Sequence, residues 1–108
     1  MNYKVFAPHD CHTEVELPAS KSISNRALVI NALCDDSIPI TNVSDCDDTR
    51  VMKQAFTKKN SSIDIHGAGT AMRFLTAYYA QNRDYECIIS GSERMKQRPI
   101  KILVDALR

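Results

Sequence analysis

The stretch LPASKSISNRALVINAL, residues 17–33, decides how the chain is read. Pro18 ends the extended pattern before it, Ser20 stands where a helix N-cap is wanted, and the spacing predicts a helix over 21–34. Ile23, Ala27, Ile30 and Cys34 share one face of that helix, while Leu28 and Val29 make other faces apolar. The pattern therefore predicts burial on more than one side. Yet Lys21, Ser22 and Arg26 crowd its first turns. Unpaired N–H groups and the dipole make a helix N-terminus attractive to anions. Lys21 adds a mobile point charge, Ser22 a hydroxyl, and Arg26 a planar fork suited to phosphate or carboxylate. Ser22 and Arg26, four apart, lie on one side. The competing reading is a capped helix with solvated charges.

On the N-terminal side, YKVF (3–6) and TEVEL (13–17) read as strands, the second with period-two alternation. On the C-terminal side, IPITNV (38–43) reads as another strand, with Pro39 placing it at an edge or a strand start. A second helix is expected from Asp48 to about Lys58. The acidic DCDDT supplies caps and negative charge at its positive end, and Val51, Met52, Ala55 and Phe56 form its buried stripe. KKNSS reads as a loop, IDI as a brief strand, and HGAGT as a tight turn into a third helix over 70–81. In that helix Met72, Phe74, Leu75 and Tyr79 read as core. A strand YECIIS (85–90), a turn at Gly91–Ser92 and a helix opened by Pro99 follow. The order implies an α/β or α+β fold. The last helix reaches Arg108 with no C-cap glycine and no tail, which raises the expectation of a chain cut short.

At 108 residues the chain is about one domain, with 44% hydrophobic and 25% charged residues, an ordinary globular balance. A net charge of +1 gives no reason to expect nucleic acid or a membrane surface as partner. No apolar run approaches the roughly 18 residues of a membrane-spanning helix. MNYKVFAPHD has neither the basic start nor the apolar middle of a signal peptide, so a cytoplasmic location is the default expectation. The four cysteines, Cys11, Cys34, Cys46 and Cys87, form no CxxC pair. Cys34 and Cys87 sit in apolar stretches, where a free thiol acts as a small hydrophobe. HDCH (9–12) clusters His9, Cys11 and His12, but no partner pair follows at ligand spacing, so no metal site is expected.

Two further stretches face anions. GAGTAMR (67–73) combines Gly67 and Gly69 with a helix start, although it is neither GxGxxG nor a Walker loop. A glycine turn before a helix is also common without any ligand. GSERMKQRPIK (91–101) concentrates Arg94, Lys96, Arg98 and Lys101, with Arg98 held extended by Pro99. A solvated basic loop is the alternative there, and the stretch lacks aromatics to stack nucleic-acid bases. Together the three suggest a ligand bearing phosphate and carboxylate. No Ser-His-Asp set can be argued. Asp45, Asp47 and Asp48 read as helix caps, and His66 as a polar turn residue in preference to a catalytic base.

LPASKSISNRALVINAL, NVSDCDDTRVM (42–52), GAGTAMRFL (67–75) and GSERMKQRPIKILVDALR (91–108) resemble, in order, the N-terminal motifs of the EPSP synthase (3-phosphoshikimate 1-carboxyvinyltransferase) family. The resemblance covers nearly all of the chain from Leu17 onward. It implies transfer of the enolpyruvyl group of phosphoenolpyruvate to the 5-hydroxyl of shikimate 3-phosphate, in the shikimate route to chorismate and aromatic amino acids, without metal or organic cofactor. It also implies a fold of two lobes built from βαβαββ units. Residues 1–108 would be the N-terminal part, the first repeat unit and the start of the second, with the second lobe absent. Carried over by motif, Lys21 would contact both substrates. Ser22 and Arg26 would hold shikimate 3-phosphate, and Gly69, through its backbone, and Arg98 would hold phosphoenolpyruvate. No catalytic acid–base residue is expected within these 108 residues. The family member would be a monomer, and the isolated piece would self-associate through uncovered apolar faces and strand edges.

The sequence departs from the family pattern at Ala19, where glycine is common, at Gly67, where asparagine is common, and at Phe74, where proline often stands. The stretch between Asp48 and Gly67 is also shorter than in many members. Two rival readings are the sister enolpyruvyl transferase acting on UDP-N-acetylglucosamine and a non-catalytic anion-binding module. The first is disfavoured because its corresponding helix carries Lys-Asn where this chain has Lys21-Ser22.

Overall fold

A computed structural model describes residues 1–57, 61–82 and 84–108. Lys58, Lys59 and Asn60 of the expected KKNSS loop lie outside the described residues. The chain runs α1 (Lys21–Leu33), α2 (Asp47–Thr57), β1 (Ser62–Asp64), α3 (Gly69–Ala80), β2 (Ile88–Ser90), α4 (Glu93–Lys96) and α5 (Lys101–Leu107). This is a mixed fold of helices with a small sheet. β1 and β2 pair in parallel, Ser62 opposite Ile88 and Asp64 opposite Ser90. A parallel pair needs a long crossover, and α3 supplies it.

The apolar core lies between α2, β1 and α3. Val51, Met52 and Ala55 present the expected stripe of α2 to Ile63 and Ile65 and to Ala71, Met72 and Leu75 of α3, with Met95 of α4 closing one end. Phe56, Phe74 and Tyr79 pack on this cluster while only partly buried. Tyr79 spends its hydroxyl on the Ala55 carbonyl (2.8 Å), tying α3 to the end of α2. Phe56 meets the Tyr78 ring edge-on at 4.9 Å.

α1 forms where the sequence places it, with Ser20 extended and accepting from the Ile23 N–H at 3.4 Å. Its expected burial is corrected. Ile23 and Ile30 are 71% and 63% exposed, Cys34 is exposed, and the residues α1 buries are Ser24 and Asn25. Leu28 and Val29 do pack, partly buried, against the apolar core, while the start of α2 and the segment before it bring N–H and hydroxyl groups that need polar partners. Ser24 Oγ accepts from the Ser44 N–H (2.9 Å), and Asn25 Oδ1 accepts from the Thr49 hydroxyl (2.7 Å). Apolar periodicity marks a face able to be buried but not whether an element lies over it.

The strands expected at 3–6, 13–17 and 38–43 are also corrected: none of these segments is a strand. Val5, Phe6, Val15 and Leu17 are exposed. A strand exists only through a ladder partner, and alternation alone supplies none. In 38–43, Asn42 takes a left-handed φ of 52°, which an extended run cannot contain. The strand expected over 85–90 shortens to Ile88–Ser90. The brief helix α4 occupies part of the stretch read as a turn and basic loop. Among the described residues no helix is long and apolar enough to cross a membrane, and no group of three metal-ligating side chains occurs.

Candidate functional site

Two neighbouring features use the residues singled out by sequence. The first is the start of α1. Lys21 Nζ lies 3.0 Å from Asp48 Oδ2, with the lysine side chain 48% exposed and the aspartate side chain only 12%. The other oxygen, Asp48 Oδ1, is buried without a hydrogen-bond partner. Asp45 and Asp47 instead bind Arg50, through its Nε (3.0 Å) and Nη1 (3.2 Å). The reading of the three aspartates as simple caps is therefore corrected: Asp45 and Asp47 engage Arg50 and Asp48 engages Lys21, with Asp47 and Asp48 supplying the negative charge expected in the first turn of α2. Asp48 turns towards α1 because Lys21 stands there to neutralise it.

Cys46 sits beside this pair, its sulfur 3.2 Å from the Thr49 hydroxyl. Burial pushes its thiol up. Hydrogen bonding with the Thr49 and Ser44 side chains and the Thr49 backbone, together with the Lys21 charge, outweighs that and leaves it below its ordinary value. Burial alone raises the Cys87 thiol.

The second feature is a cleft of about 300 Å³ lined by Arg26, Gly69, Thr70, Arg73, Phe74 and Arg98. The turn that leads into α3 explains how the cleft opens. His66 takes a left-handed φ of 49°, its N–H donating to Asp64 Oδ1 (2.8 Å), and Gly67 follows. Ala68 then precedes α3 with no side-chain cap; it is buried, as is Gly69, whose N–H donates to the Gly67 carbonyl at 3.0 Å. His66 is an exposed turn residue, its Nδ1 3.3 Å from Asp64 Oδ2.

Gly69 is required by a close approach. A Cβ there would stand 2.1 Å from Arg98 Nη1, so any side chain would push that guanidinium out of place. The contact made by Arg98 Nη1 is a loose one of 3.9 Å to Met95 Sδ, which leaves its fork open to a ligand. Arg26 donates to the Ser22 carbonyl (3.0 Å), and its guanidinium lies 5.9 Å from the centre of the Phe74 ring. Arg73 clamps two segments, donating to the Gly69 carbonyl at 3.3 Å and the Pro99 carbonyl at 3.1 Å. Three guanidiniums thus converge on a space whose lining holds no carboxylate. Such a space suits an anion carrying more than one charge.

Of the residues singled out by sequence, Arg26, Gly69 and Arg98 share this cleft, while Lys21 and Ser22 are not among its lining residues. Ser22 lies exposed at the α1 start, and Lys21 is engaged with Asp48. Arg73, Thr70, Phe74 and Asp48 belong to the site region without having been assigned to it. Arg73 carried a usable signal, standing four residues after Gly69 on the same helix face. Asp48 carried none, since its partner lies on another helix.

The EPSP synthase (3-phosphoshikimate 1-carboxyvinyltransferase) family matches the chain over residues 5–58 and 53–108. The two matched segments meet within the stretch between Asp48 and Gly67. A 3-phosphoshikimate 1-carboxyvinyltransferase of Bacteroides fragilis strain YCH46 is 56% identical over 108 residues, covering 100% of this chain and 26% of the relative. The protein of the same name from Bacteroides fragilis strain ATCC 25285 is 57% identical over 109 residues, again 26% of its length. One from Burkholderia cenocepacia strain HI2424 is 40% identical over 133 aligned residues, 30% of its length. The chain thus spans about a quarter of the curated relatives it matches best among these. No solved structure matches it.

Proposed function

The chain belongs to the EPSP synthase family, and from that premise we propose that it forms the N-terminal part of a 3-phosphoshikimate 1-carboxyvinyltransferase. In this reading residues 1–108 make the first βαβαββ-type unit and the start of a second within one lobe. The reaction joins the enolpyruvyl group of phosphoenolpyruvate to the 5-hydroxyl of shikimate 3-phosphate and releases phosphate. The observation that supports it best is the convergence of Arg26, Arg73 and Arg98 on one cleft beside Gly69, at the start of α3. Both substrates are phosphorylated carboxylates, the ligand type such a cleft favours.

The residue roles follow from that reading. Arg98 and the backbone at Gly69 hold phosphoenolpyruvate. Arg26 and Ser22 hold shikimate 3-phosphate, and Lys21 lies at the boundary and touches both. The Phe74 ring faces the Arg26 guanidinium at 5.9 Å, a distance that favours the cation electrostatically. These groups bind, orient and neutralise charge. Proton transfer is left to groups outside residues 1–108. The isolated chain is therefore expected to show no turnover, because the reaction needs donors and acid–base groups on both sides of the substrates. The partners are these two small molecules, with neither nucleic acid nor membrane, in a cytoplasmic monomer.

An amide-resolved NMR titration of the chain with shikimate 3-phosphate, against inorganic phosphate, tests the proposal. Shifts at Ser22 and Arg26 specific to the shikimate ligand are expected. Equal responses to both ligands would reduce the chain to a generic anion binder.

A further inference from the structure

We infer that Asp48 is a positioning residue that holds the Lys21 ammonium in place for an anionic ligand. The inference rests on the reading of Lys21 as a substrate contact.

Two observations carry it. Asp48 is the second residue of α2, where a carboxylate ordinarily faces the helix dipole from the surface, while its neighbours Asp45 and Asp47 pair with Arg50 there. Asp48 instead points into the α1–α2 seam, with Oδ2 at 3.0 Å from Lys21 Nζ. Its Oδ1 is enclosed there with no donor. A buried carboxylate oxygen without a partner is costly, so the ammonium is what makes this placement tolerable. The lysine stem is flexible and loses rotamer freedom when held. Because Asp48 is itself fixed by burial, Lys21 meets that loss on folding and not on ligand binding. An ammonium has three N–H donors. Asp48 engages one face of it, and the half-exposed side chain leaves the rest for a ligand.

The arrangement makes an unusual sign prediction. The Asp48 charge repels any anion at Lys21, so Asp48→Asn leaves binding of free inorganic phosphate unchanged or stronger. A ligand that needs the ammonium at one place relative to a ring loses affinity in the same variant. The preference for shikimate 3-phosphate over inorganic phosphate is therefore expected to fall about two- to fivefold, the range of a partly exposed ion pair.

The test combines ¹⁵N relaxation of the lysine ammonium groups with NMR titrations of both ligands. In the unsubstituted chain the Lys21 ammonium is expected to be restricted relative to that of exposed Lys53. In Asp48→Asn its motion rises to the Lys53 level and the ligand preference falls. Asp48→Glu restores part of the restriction. A Lys21 ammonium as mobile as that of Lys53 in the unsubstituted chain overturns the inference without any variant having to fold. An unchanged preference ratio in a folded Asp48→Asn chain overturns it as well. Lys21→Met separates the two layers. If it leaves shikimate 3-phosphate affinity intact, the substrate role of Lys21 fails and the inference with it. If it weakens that affinity while Asp48→Asn does not alter the ratio, positioning alone fails.

Discussion

The two seams of α2 are built on opposite principles. Towards β1 and α3 it presents Val51, Met52 and Ala55 to a dry cluster centred on Ile65 and Leu75. Towards α1 its first turn presents Asp48 and Thr49 to Lys21 and Asn25. The dry seam is held by non-directional burial, which tolerates some repacking. The polar seam is held by a few directional bonds and fixes where α1 stands, and so where Lys21, Ser22 and Arg26 point. It also keeps unpartnered groups, Asn25 Nδ2 and Asp48 Oδ1, in its interior. The scaffold therefore rests on the first seam, and the orientation of the candidate site rests on the second.

The comparison breaks most visibly at Leu75, which is fully buried on the dry side. Leu75→Ala is expected to cost about 2–5 kcal/mol through lost burial and the cavity left behind. In a chain this small such a loss is a large fraction of the whole stability, so cooperative urea unfolding should shift far to lower denaturant or vanish. Next comes the polar side. Thr49→Val removes the hydroxyl that serves Asn25 Oδ1 and neighbours the Cys46 sulfur. A second unsatisfied atom then joins Asn25 Nδ2, and the cost is about 1–3 kcal/mol. The same urea titration reads it. A neutral result would mean that the polar seam contributes register without stability.

Gly69→Ala separates site from scaffold. The added Cβ meets the far end of the Arg98 side chain, which can swing away, so stability should change little. The guanidinium, however, leaves the cleft. Loss of one charge-assisted contact is expected to weaken phosphoenolpyruvate binding about tenfold. An NMR titration with unchanged affinity would remove Arg98 from the site.

What the sequence made legible follows the same division. The extents of α1, α2 and α3, the α2 stripe and the N-cap Ser20 could all be read, because each depends on local spacing or capping chemistry. That the stretches holding Arg26, Gly69 and Arg98 all suit anions was legible from residue chemistry, but the role of each residue came only through the family resemblance, since they stand in three separate segments. The strands read at 3–6, 13–17 and 38–43 and the burial of Ile23 and Ile30 failed for one reason. Each needs a neighbouring element, and a one-dimensional pattern does not contain the neighbour. The inward turn of Asp48 failed differently. A carboxylate at a helix start satisfies a local rule so well that its long-range partner on α1 leaves no trace in the spacing.

The smallest expected effect sharpens the comparison at the level of single thiols. Cys46 borders the polar seam, where hydrogen bonds with Thr49 and Ser44 and the Lys21 charge overcome burial and lower its pKa. Cys87 packs against the dry cluster, where burial raises it. The thiolate is the nucleophile, so iodoacetamide should alkylate Cys46 before Cys87 as pH rises from neutrality. The linkage signs are opposite. A thiol lowered on folding adds stability above its unfolded value and loses it as pH falls through the folded one. A thiol raised on folding favours the folded chain below its unfolded value, and that contribution disappears as pH rises. Alkylation rates followed by mass spectrometry across that range read the order directly. If Lys21→Met slows Cys46 without touching Cys87, the lysine charge reaches the thiol across the α1–α2 seam. If Cys46 does not respond, the lysine charge does not reach it, and it owes its acidity to its hydrogen bonds with Thr49 and Ser44 alone.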